Sequence, residues 1–230
     1  KKILYNAYYV RKLSEFNQVS CTEAKMYGSK MERKIDQQLE DLRHLILLMG
    51  GHVEKALGEA MMALIQRDSA RFLQVHEIEK MINQAHVRVD EACAQLLAKQ
   101  GPVARDLRFI ISVIKINADL ERMGDQSVNI AYTGKDYLER MTTLSLHKIE
   151  RMAELTRGMV KQSLDAFVRL NVDEAKQVLI SDDEVDDLKR QVFHDCKEFI
   201  KLNPQHVESA LDLILIARNL ERLGDHATNI

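Results

Sequence analysis

The chain has 230 residues, 46% hydrophobic and 30% charged, with only 9 Gly and 2 Pro. That is ample apolar material for one large core or two smaller ones, and little turn chemistry to interrupt helices. Lys and Arg (33) nearly balance Asp and Glu (35), and a formal charge of −2 gives no overall pull toward nucleic acid. Three scattered cysteines, Cys21, Cys93 and Cys196, argue against a disulfide framework or a CxxC zinc site and read as single reduced, partly buried thiols. No run approaches the roughly 18 apolar residues a membrane span needs. No export signal is recognisable either, so the expected compartment is the cytoplasm, with at most a peripheral membrane contact.

Residues 1–30 hold four of the six tyrosines, Tyr5, Tyr8, Tyr9 and Tyr27, and open with Lys1, Lys2, Arg11 and Lys12. They read as an appendage outside the fold, the sharper alternative being an amphipathic segment for a membrane surface or partner. From Met31 to Gln66 the apolar residues Ile35, Leu39, Leu42, Ile46, Met49, Val53 and Leu57 fall at helical spacing;. Gly50-Gly51 could end this helix, but the spacing resumes in phase, which predicts a continuous helix with a soft or closely packed point. Asp68-Ser69 offers an N-cap for a second helix over Ala70 to Lys99. Gly101-Pro102 stops it and starts a third, running to about Tyr137. The same order then returns: His147 to Leu170, a cap at Asn171-Val172-Asp173, Glu174 to Leu202, and Asn203-Pro204 opening a last helix.

The recurrence is sharpest in the third helix of each set. Leu120-Glu121-Arg122-Met123-Gly124-Asp125, followed by Asn129-Ile130, reappears as Leu220-Glu221-Arg222-Leu223-Gly224-Asp225 with Asn229-Ile230, a hundred residues on. A duplicated unit of three helices with short connections predicts an all-α protein of two tandem three-helix bundles, residues 31–140 and 141–230, the second truncated at its C-terminus.

Each motif sets an acid, a second acid four residues later and an Asn four beyond that on one helix face. On a helical wheel Leu107, Ile114 and Ala118 share a sector with Glu121 and Asp125. An apolar stripe expected to face a neighbouring helix thus turns into carboxylates, which are costly unless something compensates them. Ion pairs with Arg122 and Arg222 or with nearby lysines would do so. Metal ions would also, because carboxylate and amide oxygens suit magnesium, calcium, manganese or iron. Acid–base catalysis would need a cleft that the sequence does not announce. The second helices add Glu79 and Asn83 in the first unit, and Asp183 and Asp187 in the second, aligned by their connections. Gly124 and Gly224 read as points of close helix approach. His226 is a weaker ligand candidate, because Gln126 stands in its place in the other unit.

The doubled Leu-Glu-Arg-(Met/Leu)-Gly-Asp with Asn-Ile, together with Ala104-Arg105-Asp106-Leu107-Arg108 and Met49-Gly50-Gly51, resembles the PhoU family of phosphate-uptake regulators. The resemblance covers about residues 31–230. It implies a non-enzymatic, dimeric cytoplasmic protein that acts with the ATPase of the phosphate ABC transporter and with a sensor histidine kinase. It also implies divalent or trivalent metal ions, among iron, manganese, zinc and magnesium, in single or multinuclear sites. Carried over by position, the ligands would be Glu79, Asn83, Glu121, Asp125 and Asn129 in the first unit, and Asp183, Asp187, Glu221, Asp225 and Asn229 in the second. A metal-independent adaptor whose acids dock basic partners is the alternative. A ferritin-like di-iron enzyme is disfavoured by the lack of any Glu-x-x-His sequence.

Overall fold

The computed structural model describes residues 34–140 and 144–230. The appendage expected over residues 1–30 lies outside the described residues. Six helices follow in order: α1 (Lys34–Gln66), α2 (Arg71–Gln100), α3 (Ala104–Glu139), α4 (His147–Arg169), α5 (Val172–Leu202) and, after a 3-10 turn at Pro204–His206, α6 (Val207–Asn229). α1, α2 and α3 pack on one another, as do α4, α5 and α6, and the two triplets join through α1 on α4 and α3 on α6.

Local chemistry explains where each helix stops. α1 ends at Arg67, which takes a left-handed φ of 54°. Asp68 then turns its side chain back to accept the Ala70 N–H at 3.1 Å, so helix geometry begins one residue later than the sequence suggests. Gly101 closes α2 at φ 53°, a conformation glycine adopts without a Cβ penalty;. Asn171 caps α5 by accepting from the N–H groups of Asp173 and Glu174 at 3.1 and 3.3 Å;. α5 therefore starts at Val172, two residues before the expected start.

α1 runs unbroken through Gly50-Gly51, and the two glycines have different surroundings. A Cβ on Gly50 would land on Leu164 Cδ1 of α4, whereas one on Gly51 would meet nothing within 4 Å. Gly50 is thus the closely packed point, and what it packs against is the other bundle. The buried apolar residues form one continuous cluster, from Leu42, Ile46 and Met49 through Ile110 and Leu120 to Met152, Val160 and Ile216. Each such side chain contributes about 1.5–3 kcal/mol on burial, and the shared cluster fixes the two bundles relative to each other. Cys93 and Cys196 are free and buried in it, their thiols pushed up to about 11 mainly by that burial. They are inert space-fillers at neutral pH.

Candidate functional site

The motif helices α3 and α6 meet face to face across the joint between the bundles. Their inward positions are apolar or small: Leu120, Met123 and Gly124 on α3, and Leu220, Leu223 and Gly224 on α6, are all buried. Gly124 sits against α2, where a Cβ would come within 3.1 Å of Ile82 Cδ1, so the close-approach reading of this glycine holds. Gly224 is less crowded. A Cβ there would rest at 3.4 Å from both Asp182 Oδ1 and Met159 Cε, ordinary contact.

Polar side chains of the two motif helices meet in the joint itself. Asp119 accepts from Asn229 Nδ2 at 3.1 Å and lies 2.8 Å from His226 Nδ1, with the His226 and Asp119 side chains only 17% and 14% exposed. Conversely, Leu107 and Ile114, expected to face a neighbouring helix, are each 38% exposed. The apolar stripe that leads into the carboxylates therefore runs along an open edge. The wheel separates faces correctly but cannot say that two motif helices pack on each other, because that contact comes from the second bundle and not from α3's own.

In the first bundle the acids come together across α2 and α3. The Asp125 carboxyl is raised above its ordinary range, first by partial burial and then by the charge of Glu79. Two carboxylates thus share a site, and among the described residues neither has a lysine or arginine in ion-pair contact, the nearby Lys80 being paired with Glu77 while feeling the Glu79 charge; Asn83 Nδ2 donates to Glu79 Oε1 and holds that side chain in place. Glu121 stands one turn before Asp125, half-buried. Asn129 is exposed at the far end of the line.

The second bundle is built differently. Glu221, 17% exposed, accepts a 3.1 Å hydrogen bond from Lys189 Nζ on α5. Asp187 pairs with Arg190 on its own helix, and Asp183 is exposed. The acid that lies beside Gly224, and so next to Asp225 in the chain, is Asp182. The expected pair Asp183 and Asp187 is out of register by one. Val75, Ile82, Val89 and Cys93 correspond in burial to Val178, Val185, Val192 and Cys196, each 103 residues further on. On that register the partners of Glu79 and Asn83 are Asp182 and Asp186. The spacing of the two buried cysteines was the signal that could have shown it. Asn229 reaches across to Asp119 instead of lining up with Glu221 and Asp225.

Among the described residues, no three His, Cys, Asp or Glu side chains are gathered tightly enough to hold a metal ion as they stand. The first bundle nevertheless fits a hard cation chemically, since two mutually repelling carboxylates and an amide are oxygen donors there;. The second fits only if Lys189 gives way. A hollow of about 330 Å3 lies at the α3–α6 crossing, lined by Arg122, Gln126, Arg222, Asp225, His226 and Asn229. Gln126 Oε1 is buried there without a hydrogen-bond partner.

Comparison with known proteins agrees with this duplicated architecture. The PhoU domain is matched twice, at residues 46–133 and 149–230. The chain is 35% identical over 201 residues to the phosphate-specific transport system accessory protein PhoU homolog of Pseudomonas putida, covering 87% of this chain and 78% of that one. It is 32% identical over 197 residues to the accessory protein PhoU of Escherichia coli, covering 86% and 82%. The crystal structure of PhoU from Pseudomonas aeruginosa superimposes with a TM-score of 0.82 at 36% identity, over 85% of this chain and 94% of that one. Two domain matches, relatives aligned along most of their length and a shared fold leave no ambiguity: the chain belongs to the PhoU family.

Proposed function

We propose that the protein is a non-enzymatic negative regulator of phosphate uptake and of phosphate-starvation signalling. It would act by contact with the ATPase of a phosphate ABC transporter and with a sensor histidine kinase, as a cytoplasmic homodimer. Support for the regulatory role comes from its relatives, which are named accessory proteins of phosphate-specific transport. None of the helices is long and apolar enough to cross a membrane among the described residues, so a membrane transporter would have to be met through its cytoplasmic parts.

The observation that carries the metal half of the proposal is the Glu79–Asp125 pair, two carboxylates close enough for the charge of one to raise the other, with no ion-paired cation among the described residues. Glu79, Glu121 and Asp125, with the Asn83 amide oxygen, would hold iron, manganese, zinc or magnesium in the first bundle. Asp182, Glu221 and Asp225 would do so in the second once Lys189 is displaced. Bound metal would supply positive charge to an acidic edge and tie α2 to α3. The first bundle is the better site on this geometry, even though Asn83 stands where an acid would be stronger.

A metal-independent adaptor is the second reading, favoured by the Lys189–Glu221 and Arg190–Asp187 pairs, which already neutralise acids of the second bundle. One experiment separates the two. The chain is expressed in a phosphate-replete bacterium lacking its own PhoU relative and carrying a phosphate-starvation reporter, as wild type and as Glu79→Gln/Asp125→Asn, with elemental analysis of both purified proteins. Repression by the wild type that is lost with metal content in the variant supports the full proposal. Repression by a metal-free variant selects the adaptor, and no repression by either rejects the regulatory role.

A further inference from the structure

An open groove of about 760 Å3 runs between α5 and α6. Its walls carry Lys189, Arg190, Lys197, Arg218 and Arg222, five permanent cations against the two carboxylates of Glu221 and Asp225. The hollow at the α3–α6 crossing shares Arg222 and Asp225 with this groove and adds Arg122, so the two form one trough walled by three helices. The chain as a whole carries a net charge of −2, and no surplus of basic residues makes such a cluster inevitable.

Two of these cations are already committed, Lys189 to Glu221 and Arg190 to Asp187. Among the described residues Arg122, Arg218 and Arg222 make no ion pair, and Lys197 feels only the neighbouring Glu198, which is paired with Lys201. Unanswered like charges a helical turn apart repel, and they persist at some cost to stability unless an anion joins them. Arg218 and Arg222 follow one another at about 6 Å along one wall, and His194 and Lys197 along the other. The arginine fork matches two oxygens of one phosphate, which a lysine cannot do. Along the groove lie Phe193, 55% exposed, and the partly buried Ile214, an apolar strip between the charged walls.

We propose that this trough binds a polyphosphorylated anion, a run of linked phosphates presented either as an inorganic chain or as the tail of a nucleoside triphosphate. A phosphate chain carries charge at every link and toward both walls. An acidic protein segment in extended form sends alternate side chains to opposite faces and would answer the cations of one wall at a time. Glu221 is screened from the anion by Lys189, and the negative charge of Asp225 tempers the affinity. The trough shares Lys189, Glu221 and Asp225 with the second-bundle metal reading, but the proposal requires neither bound metal nor the partner contacts above.

The test is isothermal titration of the full, EDTA-treated protein at low salt with sodium tripolyphosphate, with ATP and with a hexaglutamate peptide. The variants are Arg218→Ala/Arg222→Ala and a control with the same charge change on α2, Arg88→Ala/Lys99→Ala. Tripolyphosphate should bind the wild type and the control alike, weaken at least tenfold in the trough variant and weaken steeply with added salt. Arg218→Lys/Arg222→Lys, which keeps charge and loses the forks, should fall between and serves if the alanine variant unfolds. ATP binding tighter than tripolyphosphate, with Phe193→Ala abolishing the difference, assigns the nucleotide; equal binding assigns the inorganic chain. The proposal is overturned if neither phosphate anion binds, if the control loses as much as the trough variant, or if hexaglutamate binds as tightly as tripolyphosphate.

Discussion

Gly50 and Gly51 are neighbours in one helix with opposite predicted responses to the same methyl group. Alanine is favoured over glycine inside a helix by about 1 kcal/mol. At Gly51, where a Cβ meets nothing within 4 Å, that preference is realised in full, and Gly51→Ala should stabilise the protein by about 0.5–1 kcal/mol. At Gly50 the methyl lands on Leu164 Cδ1, and forcing an extra carbon into a packed seam costs about 1–3 kcal/mol. Gly50→Ala should therefore be neutral to about 2 kcal/mol destabilising. Leu164 is 3% exposed, so Leu164→Ala alone should cost about 2–5 kcal/mol. In that background the Gly50 methyl enters vacated space, and the double variant should be more stable than Leu164→Ala, with a coupling of about 1 kcal/mol or more. Urea unfolding followed by circular dichroism, with unchanged m-values, reads the four variants and the wild type on one scale. If Gly50→Ala and Gly51→Ala stabilise equally and no coupling is found, α1 does not press on α4 at this point and the joint between the bundles is misdrawn.

Asp125 gives a pH signature. Its carboxyl is raised, so between the ordinary carboxylate range and the raised value the folded protein binds more protons than the unfolded chain, and stability falls as pH climbs through that window;. Asp125→Asn should accordingly raise the metal-free melting temperature at neutral pH and flatten this part of the profile. It should also remove the stabilisation that added manganese gives the wild type, and an unchanged response to manganese counts against Asp125 as a ligand. Asp212 is buried, its carboxyl raised by burial and held back by Arg140; Arg140→Ala should destabilise the protein more at pH 7 than at pH 4, and equal losses would show that the pair does not matter. Asn171→Ala removes an acceptor for two backbone N–H groups and should cost about 1 kcal/mol in the same urea assay. Lys189→Gln should raise metal binding in the second bundle by uncovering Glu221, measurable as metal retained after gel filtration.

The helices and their duplication were legible because each part of the signal is local. Apolar spacing through Gly50-Gly51, the Gly101-Pro102 and Asn203-Pro204 punctuation and the Asn171 cap depend on neighbours within a turn or two. What stayed hidden depends on the second bundle. Nothing within α3 says that Asp119 will meet His226 and Asn229 of α6, or that Gly50 is small for the sake of Leu164. The nomination of Asp183 and Asp187 came from aligning the units by their connections, which are free to differ in length. Alignment by buried positions, Cys93 with Cys196 and Val89 with Val192, is anchored by packing and leads to Asp182.

That register also shows where the two copies have parted chemically. At the position of Lys189, which neutralises Glu221, the first bundle has His86, whose Nε2 lies 3.5 Å from Asp90 on its own helix. Where Asn117 of α3 binds the His86 carbonyl and Asp90 at 3.0 and 2.8 Å, α6 has Ala217 in the wall of the basic groove; where α3 has Ala118, α6 has Arg218. These exchanges act in one direction. They leave the first bundle with the Glu79–Asp125 carboxylates and line the second with Lys189, Arg218 and Arg222. A duplicated scaffold with a shared core can carry such a division because the core side chains on one face of each helix are kept while the open edge is free to change. On the two proposals above, the copies would respond to ligands of opposite charge through motif helices that touch along Asp119, His226 and Asn229. An occupant that shifts either helix changes the surroundings of the other, so the α3–α6 contact is where any coupling between cation and anion binding would have to be measured, by titrating tripolyphosphate with and without manganese in Asp119→Asn.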